Sequence, residues 1–237
     1  MNVLALDTAT RWCSAAVVSG TLVTAERSLS EPRVHSEKLL TLVDGVLAHA
    51  RLTLADMDAV CVSIGPGSFT GLRIGLSAAK GLAFAASKPL VAVPTLEAIA
   101  WNAVELAPAL LLPMIDARRE DVYCALYYFD GISIAERTGA RAVSLAEISS
   151  MAGSGGPFTV AGDAAGKFSR YLASCPEDYR GRFRFPEVPQ DGSGAASVGI
   201  IGSRMLSLGM RSDPGILEPL YVKDFHTLVK TQHPSVH

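Results

Sequence analysis

Residues 65–75, Gly65-Pro66-Gly67-Ser68-Phe69-Thr70-Gly71-Leu72-Arg73-Ile74-Gly75, join an apolar strand-like run to a segment of mostly small and aliphatic residues. No other stretch limits the fold as strongly. Gly65 and Gly67 can take backbone angles closed to other residues, and Pro66 fixes its own φ, so the preceding strand cannot simply continue. The chain must turn sharply here into a helix spanning about 72–86. Ser68 and Thr70 can accept hydrogen bonds from the first free N–H groups of a helix starting near Gly71, and those groups, with the helix dipole, favour an anion. A phosphate or carboxylate would fit at Gly67, Ser68, Thr70 and Gly71. The same glycines would serve a close-packed corner with no ligand equally well. The spacing fails the dinucleotide fingerprint by one residue, and no Gly-Lys-Ser/Thr ending makes it a phosphate-binding P-loop.

Three β patterns precede the corner, at 3–6, 13–18 and 22–28, and read as an antiparallel meander. A helix follows at 36–50, where Leu39, Leu42, Val43, Val46, Leu47 and Ala50 recur at helical spacing and Leu40 widens the apolar stripe. Then come a strand at 59–64, the corner and its helix, a strand at 90–93, and a helix opened by Pro94-Thr95 with Glu97 in its first turn. The order is βββαβαβα. The second half repeats this in weaker form. The strand 110–115 ends in Asp116-Ala117-Arg118 as 3–6 ends in Asp7-Thr8-Ala9, with further β segments at 122–129 and 132–136. A short helix at 144–150, a strand at 158–161 and helices at 167–173 and 195–208 complete it. The stretches 153–157 and 191–194 read as loops, and 162–166 is the one second-half turn resembling a ligand loop. A duplicated architecture with a boundary near 106–108 is the simplest reading.

At 237 residues, 49% hydrophobic and 19% charged, the chain can bury a substantial core. A net charge of −2 provides no global field for nucleic acid. Cys13, Cys61, Cys124 and Cys175 form no C-x-x-C pair and no zinc spacing, so inert buried thiols in a reducing compartment are expected. The N-terminus shows no basic stretch followed by an apolar run, and no apolar run approaches a membrane span, so a cytoplasmic location without membrane contact is expected.

The helix after the corner carries Gly71, Gly75 and Ala79 at i, i+4 and i+8, with Ala78 beside them. One face therefore lacks bulky side chains and would let another element approach closely. Packing on its own sheet and contact with another subunit both explain such a face. Together with Leu39, Leu42, Val43 and Val46 on the broad stripe of 36–50, it suggests more apolar surface than one sheet can cover, and hence an interface completed by another subunit. Asp7 can cap its own turn through side chain to backbone hydrogen bonds. His35, beside Ser36, is expected at a helix start, with its ring on backbone. Ser36 and Ser68 have no base and orienting acid nearby in sequence. Arg118, Arg119, Glu120 and Asp121 read as a charged turn.

The two βββαβαβα halves, each opened by a strand ending in Asp, resemble the actin, hexokinase and Hsp70 superfamily. That resemblance implies an α/β fold of two actin-like (ribonuclease H-like) lobes with mixed five-stranded sheets, and, because members use the Asp ending the first strand to hold a metal-bound water near phosphates, it makes Asp7 and Thr8 candidate nucleotide contacts. The first lobe would span 1–106 and the second, degenerate lobe 107–237, including the C-terminal helix and tail. More narrowly, residues 4–10, His35-Ser36-Glu37-Lys38-Leu39-Leu40, 65–75, 116–123 and Pro219-Leu220-Tyr221 are similar to the TsaB (YeaZ) family. This is the dimerisation subunit of bacterial tRNA threonylcarbamoyladenosine biosynthesis, on the glycoprotease-like branch. Lys223 departs from the Arg that family members often carry after Pro-x-Tyr, with the charge kept.

The resemblance implies a non-catalytic scaffold for threonylcarbamoyl transfer to the adenosine 3′ of the anticodon in tRNAs reading codons that start with A. It would pair with the catalytic paralogue TsaD and, as a heterodimer, recruit the ATPase TsaE. Alone it would form a homodimer, and tRNA would be met only indirectly. No cofactor would bind independently; ATP would act in the assembled complex. The paralogue holds its metal through H-x-x-x-H, whereas here Leu39 stands four residues after His35, so no metal ligands are expected. The alternative is a glycopeptidase-like hydrolase or a nucleotide-dependent enzyme using the interlobe cleft.

Overall fold

The structure, a computed structural model, describes residues 1–30, 35–104, 108–117, 120–148, 150, 155–186 and 194–222. In the first half, β1 (Asn2–Asp7), β2 (Cys13–Ser19) and β3 (Leu22–Leu29) form the antiparallel meander, and β4 (Ala59–Ser63) and β5 (Leu90–Val93) add on in parallel. The sheet order is β3-β2-β1-β4-β5. Strands buried on both faces read as continuous apolar runs rather than as alternations, and β1 and β4 do so. Leu4, Leu6, Val60 and Val62 pack under α1 (His35–Ala50) and α2 (Phe69–Ala86). Val3, Ala5, Ala59 and Cys61 face the opposite side.

The second half rebuilds the same order as β10-β7-β6-β11-β12, with β6 (Ala109–Asp116) central and β11 (Phe158–Ala161) parallel to it. Among the described residues it has seven strands, not the expected five, because the outer strands are split. The expected strand 122–129 divides into β7 (Asp121–Cys124) and β8 (Tyr127–Phe129), which nevertheless keep one register along β6, from Asp116↔Val122 to Ala109↔Phe129. Pro113, which has no N–H to give to a ladder, lies opposite the gap. β9 (Ile134–Glu136) and β10 (Arg141–Ser144) then pair with β8 and β7 separately. β10 falls where the sequence reading placed no strand, and β12 (Phe183–Arg184) is reduced to two residues.

The helices α3 (Thr95–Asn102), α4 (Ala165–Leu172), α5 (Glu177–Arg180) and α6 (Ala195–Ser207) complete the fold. α4 covers the second sheet through Phe168 and Leu172. The other two long helices are exchanged between the halves. Leu96, Ile99 and Ala100 of α3 pack with Leu111, Ile115, Tyr127 and Phe129 of the second half, while Ala195, Val198 and Ile201 of α6 pack on Val3, Ala5, Val18 and Cys61 of the first. α6 was expected within a second lobe of residues 107–237; it covers the first sheet instead. Gly199 and Gly202 permit this, since a Cβ at Gly199 would lie 2.5 Å from Val18 Cγ2 and one at Gly202 would collide with Cys61 Sγ. The N–H of Ala195 donates to Ser14 Oγ (3.0 Å) and that of Ala196 to Glu26 Oε1 (2.9 Å), which fixes the helix start. The expected boundary residues Leu106 and Ala107 lie outside the described residues.

Candidate functional site at the glycine corner

β4 delivers the chain to the corner, and α2 starts at Phe69 with Ser68 as its N-cap: Gly71 N–H donates to Ser68 Oγ at 3.2 Å. Gly65 has φ +119°, which favours glycine, and a Cβ there would lie 2.6 Å from the Leu220 carbonyl oxygen. The glycines that follow make room for the turn leaving β1. A Cβ at Gly67 would collide with the Ala9 carbonyl, one at Gly71 with the Thr8 carbonyl, and one at Gly75 with Thr8 Oγ1. Hydrogen bonds close the same seam, as Ser68 N–H donates to Ala9 O at 2.7 Å and Thr8 Oγ1 donates to Gly71 O at 2.7 Å.

Asp7 is fully buried at the end of β1. Its Oδ1 accepts from Ala9 N–H (3.0 Å) and Ser63 Oγ (2.5 Å), so the carboxylate organises the turn that α2 packs against. Of the candidate anion contacts, Thr8 is buried, Gly67 is half-buried, and Ser68 and Thr70 are exposed. Gly67, Ser68, Thr70 and Gly71 face an interlobe cleft of about 800 Å³, while Thr8 and Asp7 lie behind the wall. The first half also contributes Arg11 and His35 to the cleft, and the second half contributes Asp116, Tyr123 and Asp163. His35 starts α1 with Nε2 3.2 Å from Trp12 O, as the sequence suggests.

The second-half turn mirrors the first in position but not in chemistry. Gly162 (φ +103°) lets the loop cross β6, where a Cβ would collide with the Met114 carbonyl. Asp163 Oδ1 accepts from Asp116 N–H at 2.9 Å, and Lys167 Nζ binds Asp116 Oδ1 (3.0 Å) and Asp121 O (3.1 Å). These groups bind one another across the turn. Arg118 and Arg119 lie outside the described residues, as do Lys223, His226, His233 and His237. Among the described residues no group of three or more His, Cys, Asp or Glu side chains is placed to hold a metal ion, and no helix is long and apolar enough to cross a membrane. Burial pushes the thiols of Cys61 and Cys124 up to about 12, and burial with the nearby Asp7 carboxylate pushes Cys13 to about 11. These three are inert as nucleophiles.

Most of the expected interface residues are buried within the chain, and Leu39 and Ala78 also line a groove between α1 and α2. Leu39, Leu42, Val43, Val46 and Ala79 are all buried in the core under the first sheet, and Gly71 and Gly75 are spent on the Thr8–Ala9 turn. The sheet takes up the stripe that was expected to remain for a partner. Only Ala78 of that set stays half-exposed. What remains outside is a groove of about 500 Å³ between α1 and α2, lined among others by Leu39, Leu40, Phe69, Arg73, Ile74 and Ala78. Phe84, on the same outer face of α2, is 88% exposed.

A contact that the sequence did not announce ties residues 220–221 to this wall. Leu220 N–H donates to Ile64 O at 2.7 Å, and Arg73 Nε donates to Tyr221 Oη at 3.1 Å. The Phe69 and Tyr221 ring centroids stand 5.3 Å apart, and the Arg73 guanidinium lies 3.8 Å from the Phe69 ring centre. Pro219-Leu220-Tyr221 was visible as a motif, but nothing local showed what it touches.

Residues 25–188 match the family model of TsaD, tRNA N6-adenosine threonylcarbamoyltransferase. The Escherichia coli (strain K12) tRNA threonylcarbamoyladenosine biosynthesis protein TsaB is 41% identical over 143 residues, 59% of this chain and 62% of that protein. The match thus spans less than two thirds of that curated relative. Among solved structures, YeaZ from Pseudomonas aeruginosa superposes with a TM-score of 0.76 at 26% identity, covering 93% of this chain and 100% of that one. The ROK hexokinase of Thermus thermophilus (TM-score 0.52, 12% identity, 88% of this chain and 100% of that one) shares the fold. The actin-like two-lobed architecture read from the sequence is therefore present. The chain belongs to the tRNA N6-adenosine threonylcarbamoyltransferase (TsaD) family, in its TsaB (YeaZ) branch.

Proposed function

We propose that this chain serves threonylcarbamoyladenosine formation on tRNA as a non-catalytic subunit. It pairs with a TsaD-type catalytic paralogue through the α1–α2 groove, and the heterodimer recruits a TsaE-type ATPase. The observation that carries the pairing is the groove itself. Leu40 is 54% exposed and Phe84 88% exposed on neighbouring helices whose inner faces already fill the core. Apolar surface left out in this way marks an interaction site. The kinship with the E. coli protein named for threonylcarbamoyladenosine biosynthesis supports the pathway. His35 keeps the helix start of a metal-binding H-x-x-x-H pattern, but its partner position is Leu39, which is buried. In the absence of the paralogue the same groove pairs two copies of this chain. Tests of pairing combine the purified chain with its TsaD-type paralogue and read the mass of the mixture, then assay tRNA modification with each component omitted. Modification by this chain alone, at the rate of the full mixture, would overturn the scaffold reading.

The interlobe cleft favours a second reading, in which a nucleotide lies between the lobes. About 800 Å³ lined from both halves is room for one. Calorimetry of the isolated chain with ATP and magnesium decides it. Heat of binding supports this reading, and its absence counts against it.

A further inference from the structure

Four residues, Ser36, Phe69, Thr70 and Ile74, line both the interlobe cleft and the α1–α2 groove, so a thin wall separates the two. Phe69 and Arg73, one turn apart on α2, are exposed side chains on that wall, and each needs an ordering contact to hold one rotamer. Both receive it from one residue of the C-terminal segment. The Tyr221 ring packs on Phe69, and its hydroxyl accepts from Arg73 Nε at 3.1 Å. The segment is itself anchored at three places along the first half. Ser212 bridges to Leu90, Lys80 Nζ donates to Leu217 O at 2.8 Å, and Leu220 N–H donates to Ile64 O at 2.7 Å. Residues 212–222 thus run as a strap from β5 across α2 to the glycine corner.

We propose that Tyr221 is a positioning residue for partner docking: through Phe69 and Arg73, the strap sets the edge of the α1–α2 groove. This rests on the docking role proposed above. The cluster combines a ring pair, a hydrogen bond to a charged donor and a guanidinium over an aromatic face, each a contact that fixes direction as well as energy. Without it, Arg73 loses this acceptor and Phe69 loses this ring contact, so the partner meets a less ordered edge. Tyr221 itself lines the cleft and is absent from the groove, so it acts through its two neighbours.

The experiment measures the dissociation constant of the full-length chain with its TsaD-type paralogue for wild type, Tyr221→Ala, Tyr221→Phe and Arg73→Met, alongside the thermal midpoint of each variant alone. Tyr221→Ala is expected to weaken pairing about tenfold, the scale of one or two interface side chains that must be ordered on binding. Tyr221→Phe keeps the ring and is expected to recover most of that loss. Arg73→Met should weaken pairing less in the Tyr221→Phe background than in wild type, because there the hydrogen bond is already gone and only the guanidinium's contacts remain to be lost; an equal cost in both backgrounds would show that Tyr221 does not act through Arg73. A Tyr221→Ala affinity within twofold of wild type, at a temperature where the variant is folded, overturns the positioning role even if its midpoint drops. If wild type itself fails to pair, the docking reading falls first and this inference with it.

Discussion

At the residue scale, the corner is a packing joint between two distant pieces of chain. Gly71 and Thr8 are 63 residues apart in sequence, yet Thr8 Oγ1 donates to Gly71 O and the Thr8 carbonyl leaves no room for a Cβ on Gly71. Gly71→Ala is therefore expected to destabilise the chain by about 1–3 kcal/mol, the cost of forcing atoms into a filled site, measured by urea unfolding. Gly75→Leu and Ala79→Glu should disrupt the fold rather than test an interface, because both positions are buried against this chain's own atoms. Asp7→Ala leaves Ser63 Oγ and Ala9 N–H without their acceptor and is expected to cost about 1–3 kcal/mol. The glycines, the Ser68 cap and the capping behaviour of Asp7 were legible in the sequence, since each follows from local backbone chemistry. The collision partners were not, because a contact across 63 residues leaves no local trace.

Elements were legible where hydrophobic period and turn chemistry agreed. The meander, the α1 stripe, the strand–corner–α2 passage and the helix at 195–208 all follow from such patterns. What escaped was the destination of the faces. The apolar residues of α6 look the same whether they cover the first sheet or the second, and only Gly199 and Gly202, shaped to Val18 and Cys61, decide it. Gly202→Ile is accordingly expected to lower the thermal midpoint of the whole first half, with near-ultraviolet dichroism as the readout. α3, exchanged the other way, carries Glu97 into the junction. Burial, and then the nearby Glu136 carboxylate, raise its pKa above the ordinary glutamate value, with Arg204 opposing. A carboxyl whose folded pKa is raised binds protons more readily in the native state, so its contribution to stability declines as pH rises from about 4.3 through the folded value. Glu97→Gln is expected to flatten that decline in urea midpoints measured across the acid range. A variant with the wild-type slope would show that Glu97 is not the group responsible.

At the scale of the whole molecule, two structurally equivalent halves have diverged in what they leave exposed. In the second half, the residues around the ligand-loop position bind one another through Lys167, Asp116 and Asp163. In the first half, the core consumes the inner faces of α1 and α2 and leaves a groove outside, with the strap bracing one edge. The architecture was readable from the repeated order of elements. Which apolar residues would stay outside was not, because Leu39 and Leu40 are the same residue type, side by side, and differ only in the direction the helix gives them. Under the proposed function, this groove, and not the cleft, is where the chain meets a TsaD-type paralogue. Light scattering of the chain mixed with that paralogue tests it most directly, comparing wild type with Leu40→Asp and Ala78→Glu. The expected result is a one-to-one heterodimer for wild type and separate monomer-scale masses for both variants, with the thermal midpoint of Leu40→Asp unchanged because Leu40 is already 54% exposed. Heterodimer formation by both variants at wild-type affinity would contradict the claim.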